Sequence, residues 1–348
     1  MESVFFRAAA LTHPGTDLLL TELEVPPLLV GQVLIRLEYS GVCRSQLMEV
    51  GGLRGEDRWL PHLLGHEGSG TVLAVGEGVS KVHPGQEVIC GWVVAAGMEA
   101  EPPVFYFDGV RINAGRVTTF SEMAIVSENR VYVKPDRLAM DEAVLFGCAL
   151  LTGAGMVLNE MPPGPKDAVL VLGLGGVGIS ALIGALASDP ALVIAADPSA
   201  QKRELALSLG ATLALDSSVD GFLEQVREAT AGGADVCYEA AGQTVTIELG
   251  FEATKPKSGT LVFASHPPSG ERISIDPHAL ISGRSIRGSW GGGSKPDQDI
   301  PRIWNAVQEL NIDLGRLISN RYALEDVNLA LRDLESGSVM RPLLDMSL

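Results

Sequence analysis

The chain has 348 residues, more than one hydrophobic core usually covers, so two domains are expected. Its composition, 46% hydrophobic and 20% charged, is that of an ordinary soluble globular protein. A net charge of -17 argues against nucleic acid as a partner, since phosphates favour clustered Lys and Arg. The sequence shows no apolar run long enough for a bilayer and no secretory signal pattern, so we expect a cytoplasmic protein without a membrane partner.

The four cysteines are widely scattered along the chain and form no CxxC pair. In a reducing compartment such cysteines are more often buried thiols, metal ligands or nucleophiles than disulfides. They are Cys43, Cys90, Cys148 and Cys237.

The first part of the chain, residues 1–149, is rich in short strand signals. Val33, Ile35, Leu37 and Tyr39 alternate with polar residues, which is the period of a half-buried strand. The segment 70–90 reads as two strands around a glycine-rich turn. These patterns predict an antiparallel β barrel or sandwich.

Near residue 150 the pattern changes to strands that alternate with helices, and it continues to about residue 290. Alternation at this spacing predicts a parallel sheet with helices on both faces. Two further helices are predicted over 299–310 and 324–337. We expect the tail to pack on the first domain, so that 1–149 and 291–348 form one discontinuous domain and 150–290 the other.

A glycine motif follows the first strand of the predicted parallel sheet and opens a helix. Glycines permit a tight turn, the close approach of a pyrophosphate and close packing of helix on strand. The N-terminus of the helix then offers free N–H groups and partial positive charge to phosphates. The motif is Gly173-Leu174-Gly175-Gly176-Val177-Gly178.

Asp197 ends the next strand, about 20 residues beyond the glycine motif, where a carboxylate would bond the adenosine ribose hydroxyls. A glycine-rich turn alone would be weak evidence for a dinucleotide, but the added carboxylate makes it strong. Because Asp197 would also repel a 2′-phosphate, NAD is predicted rather than NADP.

Three possible metal ligands, Cys43, His66 and Cys148, occur in or beside the first domain. Two thiolates and one imidazole suit zinc, and three protein ligands leave a fourth position for water or substrate. Judged singly, each cysteine could be a small buried hydrophobe and the histidine a core residue. Their spacing matches no compact zinc motif.

Several segments resemble the zinc-dependent alcohol dehydrogenases of the medium-chain dehydrogenase/reductase family, in family order and over nearly the whole chain. The most specific is Gly65-His66-Glu67-Gly68-Ser69-Gly70, followed by Gly76 and Val79. The others are GVCRS, TTFSEMAIV, GCALLTG, VLGLGGVG, SGRSIRG and the terminal Met340-Arg341. The resemblance implies an α/β fold, with a doubly wound Rossmann domain and a GroES-like antiparallel β catalytic domain.

The resemblance also implies the roles of the site residues in the first domain. It makes Cys43, His66 and Cys148 the ligands of a catalytic zinc. Glu67 is similar to a carboxylate that can approach the metal, and Ser45 to the hydroxyl that bonds the substrate oxygen and accepts its proton.

Further residues are assigned to the cofactor and substrate by the same resemblance. Arg44 and Arg341 match residues that contact the pyrophosphate, Lys202 a basic residue beside the ribose, and Thr152 a residue near the nicotinamide. For the three charged residues the alternative is a solvated surface charge. Trp92 matches a wall of the substrate pocket, although it could equally be a packing residue on a shortened loop.

Three departures from the family pattern stand out. The segment Gly91–Gly115, where many relatives carry a structural zinc, contains no cysteine, so one zinc per chain is predicted. Met48 replaces a histidine that relays the proton in several relatives. Gln46 replaces an acidic residue, and we expect its oxygen to accept a hydrogen bond from His66.

The predicted activity is reversible hydride transfer between an alcohol and NAD, which gives an aldehyde or ketone. Zinc would polarise the alcohol oxygen and Ser45 would accept the proton. One alternative is a reductase of the same fold that acts on C=C or C=N bonds. Another is a non-catalytic NAD(H)-binding protein, structural or regulatory. The resemblance suggests a homodimer or homotetramer.

Overall fold

The computed structural model describes residues 3–348. The strands are β1 Phe5–Leu11, β2 Leu19–Glu24, β3 Gln32–Gly41, β4 His62–Leu63, β5 Glu67–Val75, β6 Glu87–Gly91, β7 Val104–Phe107, β8 Val110–Asn113, β9 Met123–Ser127, β10 Val131–Val133, β11 Ala168–Leu172, β12 Leu192–Ala196, β13 Leu213–Leu215, β14 Val236–Glu239, β15 Thr260–Phe263, β16 Ser285–Gly288, β17 Arg321–Tyr322 and β18 Leu343–Asp345. The α-helices are α1 Arg44–Val50, α2 Met140–Ala143, α3 Ala149–Gly155, α4 Gly176–Ala187, α5 Ala200–Leu209, α6 Phe222–Ala229, α7 Thr244–Ala253, α8 Pro277–Ile281, α9 Pro296–Glu309 and α10 Val327–Ser336.

The described chain divides into two compact units. The first contains the residues up to Cys148, together with Lys295–Ile300 and Asp313–Leu348. The second contains Ala149–Ser294 and Pro301–Ile312.

The first unit is built on two sheets. One has the strand order β2-β1-β4-β8-β7, and the other has β10-β6-β5-β3-β18-β17, with β9 also paired to β3. All pairings are antiparallel except β4 with β8 and β17 with β18. Val33 and Ile35 of the central strand β3 are fully buried, as their alternation predicted. The predicted antiparallel β domain is confirmed.

The second unit is a six-stranded parallel sheet in the order β13-β12-β11-β14-β15-β16. This is the doubly wound Rossmann order, in which the chain reverses direction across the sheet between β11 and β14. One face is covered by α6 and α7, whose Val226 and Phe251 pack in a cluster with Leu170, Ile194 and Leu261 of the strands. The predicted parallel α/β domain is confirmed.

The C-terminal tail divides between the two units. Strand β18 pairs with β3 in the first unit, whereas Pro301–Ile312, which includes most of α9, groups with the second. The sequence assigned all of 291–348 to the first domain. The apolar face of α9, with Ile303 and Val307 buried, was visible in the sequence, but such a face does not specify which core covers it.

Within residues 3–348, no single helix is long and apolar enough to cross a membrane. A bent pair, Met140–Gly147 with Ala149–Glu160, reaches that length and composition only when its two parts are taken together.

Candidate functional site

The structure brings together the three predicted metal ligands in the first unit. Cys43 precedes α1, His66 precedes β5, and Cys148 is the last residue of the first of the three segments that form the unit. One ligand atom from each lies within 4.8 Å of the other two. Among the described residues this is the one group of at least three His, Cys, Asp or Glu side chains that could hold a metal ion.

Glycines allow the chain to pack closely around Glu67, the residue after His66. A Cβ on Gly41 would lie 2.8 Å from Glu67 Cδ, and one on Gly147 would lie 2.7 Å from Glu67 Cβ. Gly65 has φ +85, and a Cβ there would lie 2.5 Å from Thr119 Oγ1. The glycines beside the ligands are therefore needed for packing.

Glu67 forms a buried ion pair with Arg341. The exposed fraction is 0% for Glu67 and 4% for Arg341. Glu67 Oε1 and Arg341 Nε are buried and have no protein partner. Burial raises the pKa of Glu67, and the charge of Arg341 opposes that rise. Burial lowers the pKa of Arg341, but the charges of Glu67 and Cys43 outweigh it and the pKa is raised.

The two thiols shift each other's pKa in opposite directions. Hydrogen bonding from Cys148 lowers the pKa of Cys43 well below its usual range, although burial opposes this change. Hydrogen bonding to Cys43, together with burial, raises the pKa of Cys148. Burial lowers the pKa of His66, but the hydrogen bond and charge of Cys43 raise it more. A bound metal would displace the protons that remain on the two thiols and on the ligand nitrogen of His66, because thiolate and neutral imidazole are the forms that bind metals.

Helix α1 carries the side chains that contact His66. Gln46 Oε1 accepts the N–H of Cys43 at 2.9 Å, and Gln46 Nε2 faces Nδ1 of His66. The prediction that the Gln46 oxygen accepts a bond from His66 is wrong, because the amide nitrogen and not the oxygen faces His66. Ser45 Oγ lies 3.5 Å from the same His66 nitrogen, and Met48 is buried.

Trp92 lies directly after β6 and contacts a predicted ligand. Its indole nitrogen donates to Cys148 Sγ at 3.3 Å. Sequence reasoning did not predict this contact. The cysteine-free segment Gly91–Gly115 contains Trp92 and, farther along, the hairpin of β7 and β8.

In the second unit, three glycines of the motif, Gly173, Gly175 and Gly178, have distinct geometric roles. Gly173 has φ +87, and a Cβ on Gly178 would lie 1.7 Å from Gly173 O. A Cβ on Gly175 would meet nothing within 4 Å, so this backbone is open for the approach of a ligand. Gly176 and Val177 begin α4 directly after this opening.

Asp197 lies at the end of β12, beside the glycine motif. Its Oδ2 accepts the N–H of Leu174 at 2.8 Å, and its Oδ1 accepts the N–H of Ser199 at 2.9 Å. Lys202 Nζ lies 3.8 Å from Oδ2. Arg203, which sequence reasoning missed, donates to the Asp197 carbonyl oxygen at 2.8 Å.

The remaining predicted cofactor residues have different environments. Thr152 is buried, and its Oγ1 has no hydrogen-bond partner. Arg44 is exposed, whereas Arg341 is buried with Glu67. The pyrophosphate contacts assigned to these two arginines stay predictions.

A cavity of about 320 Å³ in the second unit follows the carboxyl ends of β15 and β16. Its lining includes His266, Ser289 and Trp290, none of which the sequence analysis singled out. Ser289 Oγ is buried without a protein partner. The signal available was position, since ligands of open α/β sheets bind beyond the carboxyl ends of the strands.

Comparison with known proteins gives matches over both units. Residues 30–136 match the alcohol dehydrogenase GroES-like domain, and residues 176–309 match the zinc-binding dehydrogenase domain. Alcohol dehydrogenase 6 of Peromyscus maniculatus is 28% identical over 96% of each chain.

Solved structures agree with these matches. An alcohol dehydrogenase zinc-binding domain protein from Burkholderia ambifaria has a TM-score of 0.90 at 26% identity and 99% coverage of both chains. Benzyl alcohol dehydrogenase from Acinetobacter calcoaceticus has a TM-score of 0.88 at 24% identity, with 98% of this chain and 99% of that chain covered. The chain therefore belongs to the zinc-type alcohol dehydrogenases of the medium-chain dehydrogenase/reductase family.

Proposed function

We propose that this protein is a zinc-dependent, NAD-linked alcohol dehydrogenase that interconverts alcohols with aldehydes or ketones. The observation that carries the proposal is the convergence of Cys43, His66 and Cys148 within 4.8 Å. When bound, zinc would supply a Lewis acid for the alcohol oxygen, and the nicotinamide of NAD would supply the hydride acceptor.

The donor set of the first unit fits one zinc ion. Two cysteines and one histidine are zinc ligands, and a set of three leaves a position for substrate, as catalytic zinc sites do. The buried Arg341 beside Glu67 offsets the negative charge that two thiolates and a carboxylate would place together. One zinc per chain, with no structural zinc, is the stoichiometry that we propose.

The second unit fits a dinucleotide. The open space at Gly175, before the N-terminus of α4, suits a pyrophosphate. Asp197 is oriented by two backbone N–H groups and retains lone pairs for ribose hydroxyls. The unpartnered Thr152 hydroxyl suits a polar group of the cofactor. The Asp197 carboxylate supports NAD rather than NADP.

The protein groups would move the proton and hold the ligands in place. Ser45, which lies at the metal centre, would accept the alcohol proton through its hydroxyl. Met48 cannot carry that proton further, so the proton would leave by another route. Gln46 would hold Cys43 through its backbone N–H.

We also propose that the protein works in the cytoplasm as a homodimer or homotetramer. The four described cysteines are all free thiols, which suits a reducing compartment. The oligomeric state rests on the family resemblance. Light scattering of the purified protein would measure it.

The function is tested by metal analysis together with NAD reduction over a panel of aliphatic, aromatic and sugar alcohols. We expect one zinc per chain and alcohol-dependent formation of NADH. Cys148→Ser should lose both, whereas Cys237→Ala, which removes a buried thiol of the second unit, should keep both.

Four outcomes would contradict the proposal. Two zinc ions per chain would refute the single site. Full activity of Cys148→Ser would remove Cys148 as a ligand. Bound NAD without turnover on any alcohol or carbonyl compound would favour a binding protein, and turnover of C=C or C=N substrates alone would favour the alternative reductase.

A further inference from the structure

We propose that Trp92 is a positioning residue of the metal centre, which holds and polarises the ligand Cys148 through an indole N–H···S hydrogen bond. This inference rests on the proposed metal site. It differs from the predicted role of Trp92 as a pocket wall, because it uses the indole N–H and not the face of the ring.

The direction of the hydrogen bond is determined by its two atoms. Trp92 Nε1 lies 3.3 Å from Cys148 Sγ. An indole nitrogen can only donate, so the sulfur is the acceptor whatever its protonation state. Cys148 is 7% exposed, so little water competes for this lone pair.

The backbone around Trp92 is held in this position by separate contacts. Arg130 donates to the Trp92 carbonyl oxygen, and the Tyr132 hydroxyl donates to the Val93 carbonyl oxygen at 2.5 Å. On the other side, a Cβ on Gly91 would lie 2.6 Å from the carbonyl oxygen of Gly147. The segment that carries Trp92 is therefore packed against the residue that precedes Cys148.

The chemical consequence concerns the charge on the sulfur. A hydrogen bond to a metal-bound thiolate draws electron density from the sulfur and orients it, so the metal receives less charge and stays more electrophilic. Gln46 supports the ligand Cys43 with a neutral amide, whose oxygen accepts the backbone N–H of Cys43. Trp92 would thus add to the Lewis acidity of the metal.

The direct test is nuclear magnetic resonance of the full-length protein with ¹¹³Cd²⁺ in the metal site and ¹⁵N-labelled tryptophan. We expect one indole proton to show a scalar coupling to ¹¹³Cd through the sulfur, which disappears with ¹¹²Cd. This measurement needs no variant, so it does not depend on the folding of a mutant.

A second test uses Trp92→Phe, which keeps an aromatic ring but removes the N–H, with Trp304→Phe as the matched control. In the Co²⁺-substituted protein the sulfur-to-metal charge-transfer band should move to lower energy in Trp92→Phe only. Zinc affinity should fall about 10-fold in the same variant, as is common when a group that supports a ligand is removed.

The outcomes separate this inference from the proposed function. Uptake of Cd²⁺ without a coupled indole proton, or an unchanged charge-transfer band in a folded Trp92→Phe protein, would overturn the role of Trp92 and leave the metal site intact. Failure of the wild-type protein to take up any of the three metals would overturn both. A changed substrate profile with unchanged spectra would leave Trp92 as a pocket wall only.

Discussion

Arg341 forms a buried ion pair with Glu67, the residue that follows the predicted ligand His66. The pair joins the C-terminal segment of the chain to the start of β5. Glu67 and Arg341 each retain a buried polar atom without a protein partner, so neither side chain is fully satisfied by the other. Such a pair is sensitive to the loss of either member, because the remaining charge stays buried.

We therefore predict that Arg341→Met and Glu67→Gln each lower the free energy of unfolding by about 3–5 kcal/mol. The double variant should cost less than the sum of the two, because neither charge is then left alone. Denaturant unfolding of the protein treated with a chelator measures this without the contribution of the metal. The matched control is the half-exposed pair Arg321–Asp141, whose loss should cost at most about 1 kcal/mol. Strictly additive effects at Glu67 and Arg341 would show that the pair is not coupled.

The carboxylate of Asp197 should set the preference for NAD. A 2′-phosphate beside it would be a like-charge contact, which costs several kcal/mol. Asp197→Ser should lower the ratio of kcat/KM for NAD to kcat/KM for NADP. Asp197→Asn keeps the shape of the side chain without its charge, so it separates electrostatics from packing. Equal use of NAD and NADP by the wild-type protein would refute the assignment of Asp197 to the ribose.

The hydroxyl of Ser45 should be needed for proton transfer. Ser45→Ala should lower turnover by about 10²-fold, as positioned proton-transfer groups commonly do, while Ser45→Thr should keep most of it. Met48→His should leave the protein active and at most alter the pH dependence of turnover, since it adds a titrating group. Steady-state kinetics across pH measure both. An unchanged rate in Ser45→Ala would mean that another group takes the proton.

The carboxylate of Glu128 joins residues 80 and 81 to the cysteine-free segment Gly91–Gly115. Its Oε1 accepts the N–H groups of Ser80 and Lys81 at 2.7 and 2.8 Å, and its Oε2 accepts that of Met98 at 2.6 Å. Burial alone would raise the pKa of Glu128, but these hydrogen bonds together lower it below its ordinary value of 4.5. The folded protein thus binds the Glu128 proton less tightly than the unfolded chain does.

The stability that Glu128 contributes should therefore be present above about pH 4.5 and lost as the pH falls through the lowered folded pKa. Glu128→Gln should cost about 1–3 kcal/mol at neutral pH and should flatten the fall in stability below pH 4.5. Thermal melts at a series of pH values measure this. Glu99→Gln, at an exposed carboxylate paired with Arg116, is the control and should leave the profile unchanged. If the stability of Glu128→Gln fell with pH as steeply as that of the wild type, the role assigned to Glu128 would be contradicted.

Much of the fold could be predicted because its signals are local. The alternation at Val33 and Ile35 reports a half-buried strand, and the spacing of Gly173, Gly175 and Gly178 reports a tight turn before a helix. Each pattern depends on the conformation of a few neighbouring residues. The sequence by itself thus determined the two domain types and, through the family resemblance, the identity of the candidate ligands.

The tertiary structure alone decided which side chains meet. Glu67 meets Arg341, and Trp92 meets Cys148, across long stretches of chain with no local pattern to pair them. The orientation of the Gln46 amide was mispredicted because it is set by the bond from the Cys43 backbone N–H, whose position only the folded backbone decides. The position of 301–312 depends on which core covers an apolar helix face. These arrangements result from packing between segments that lie far apart in the chain. The same sequence would suit many other pairings of side chains, and only the folded backbone selects one of them.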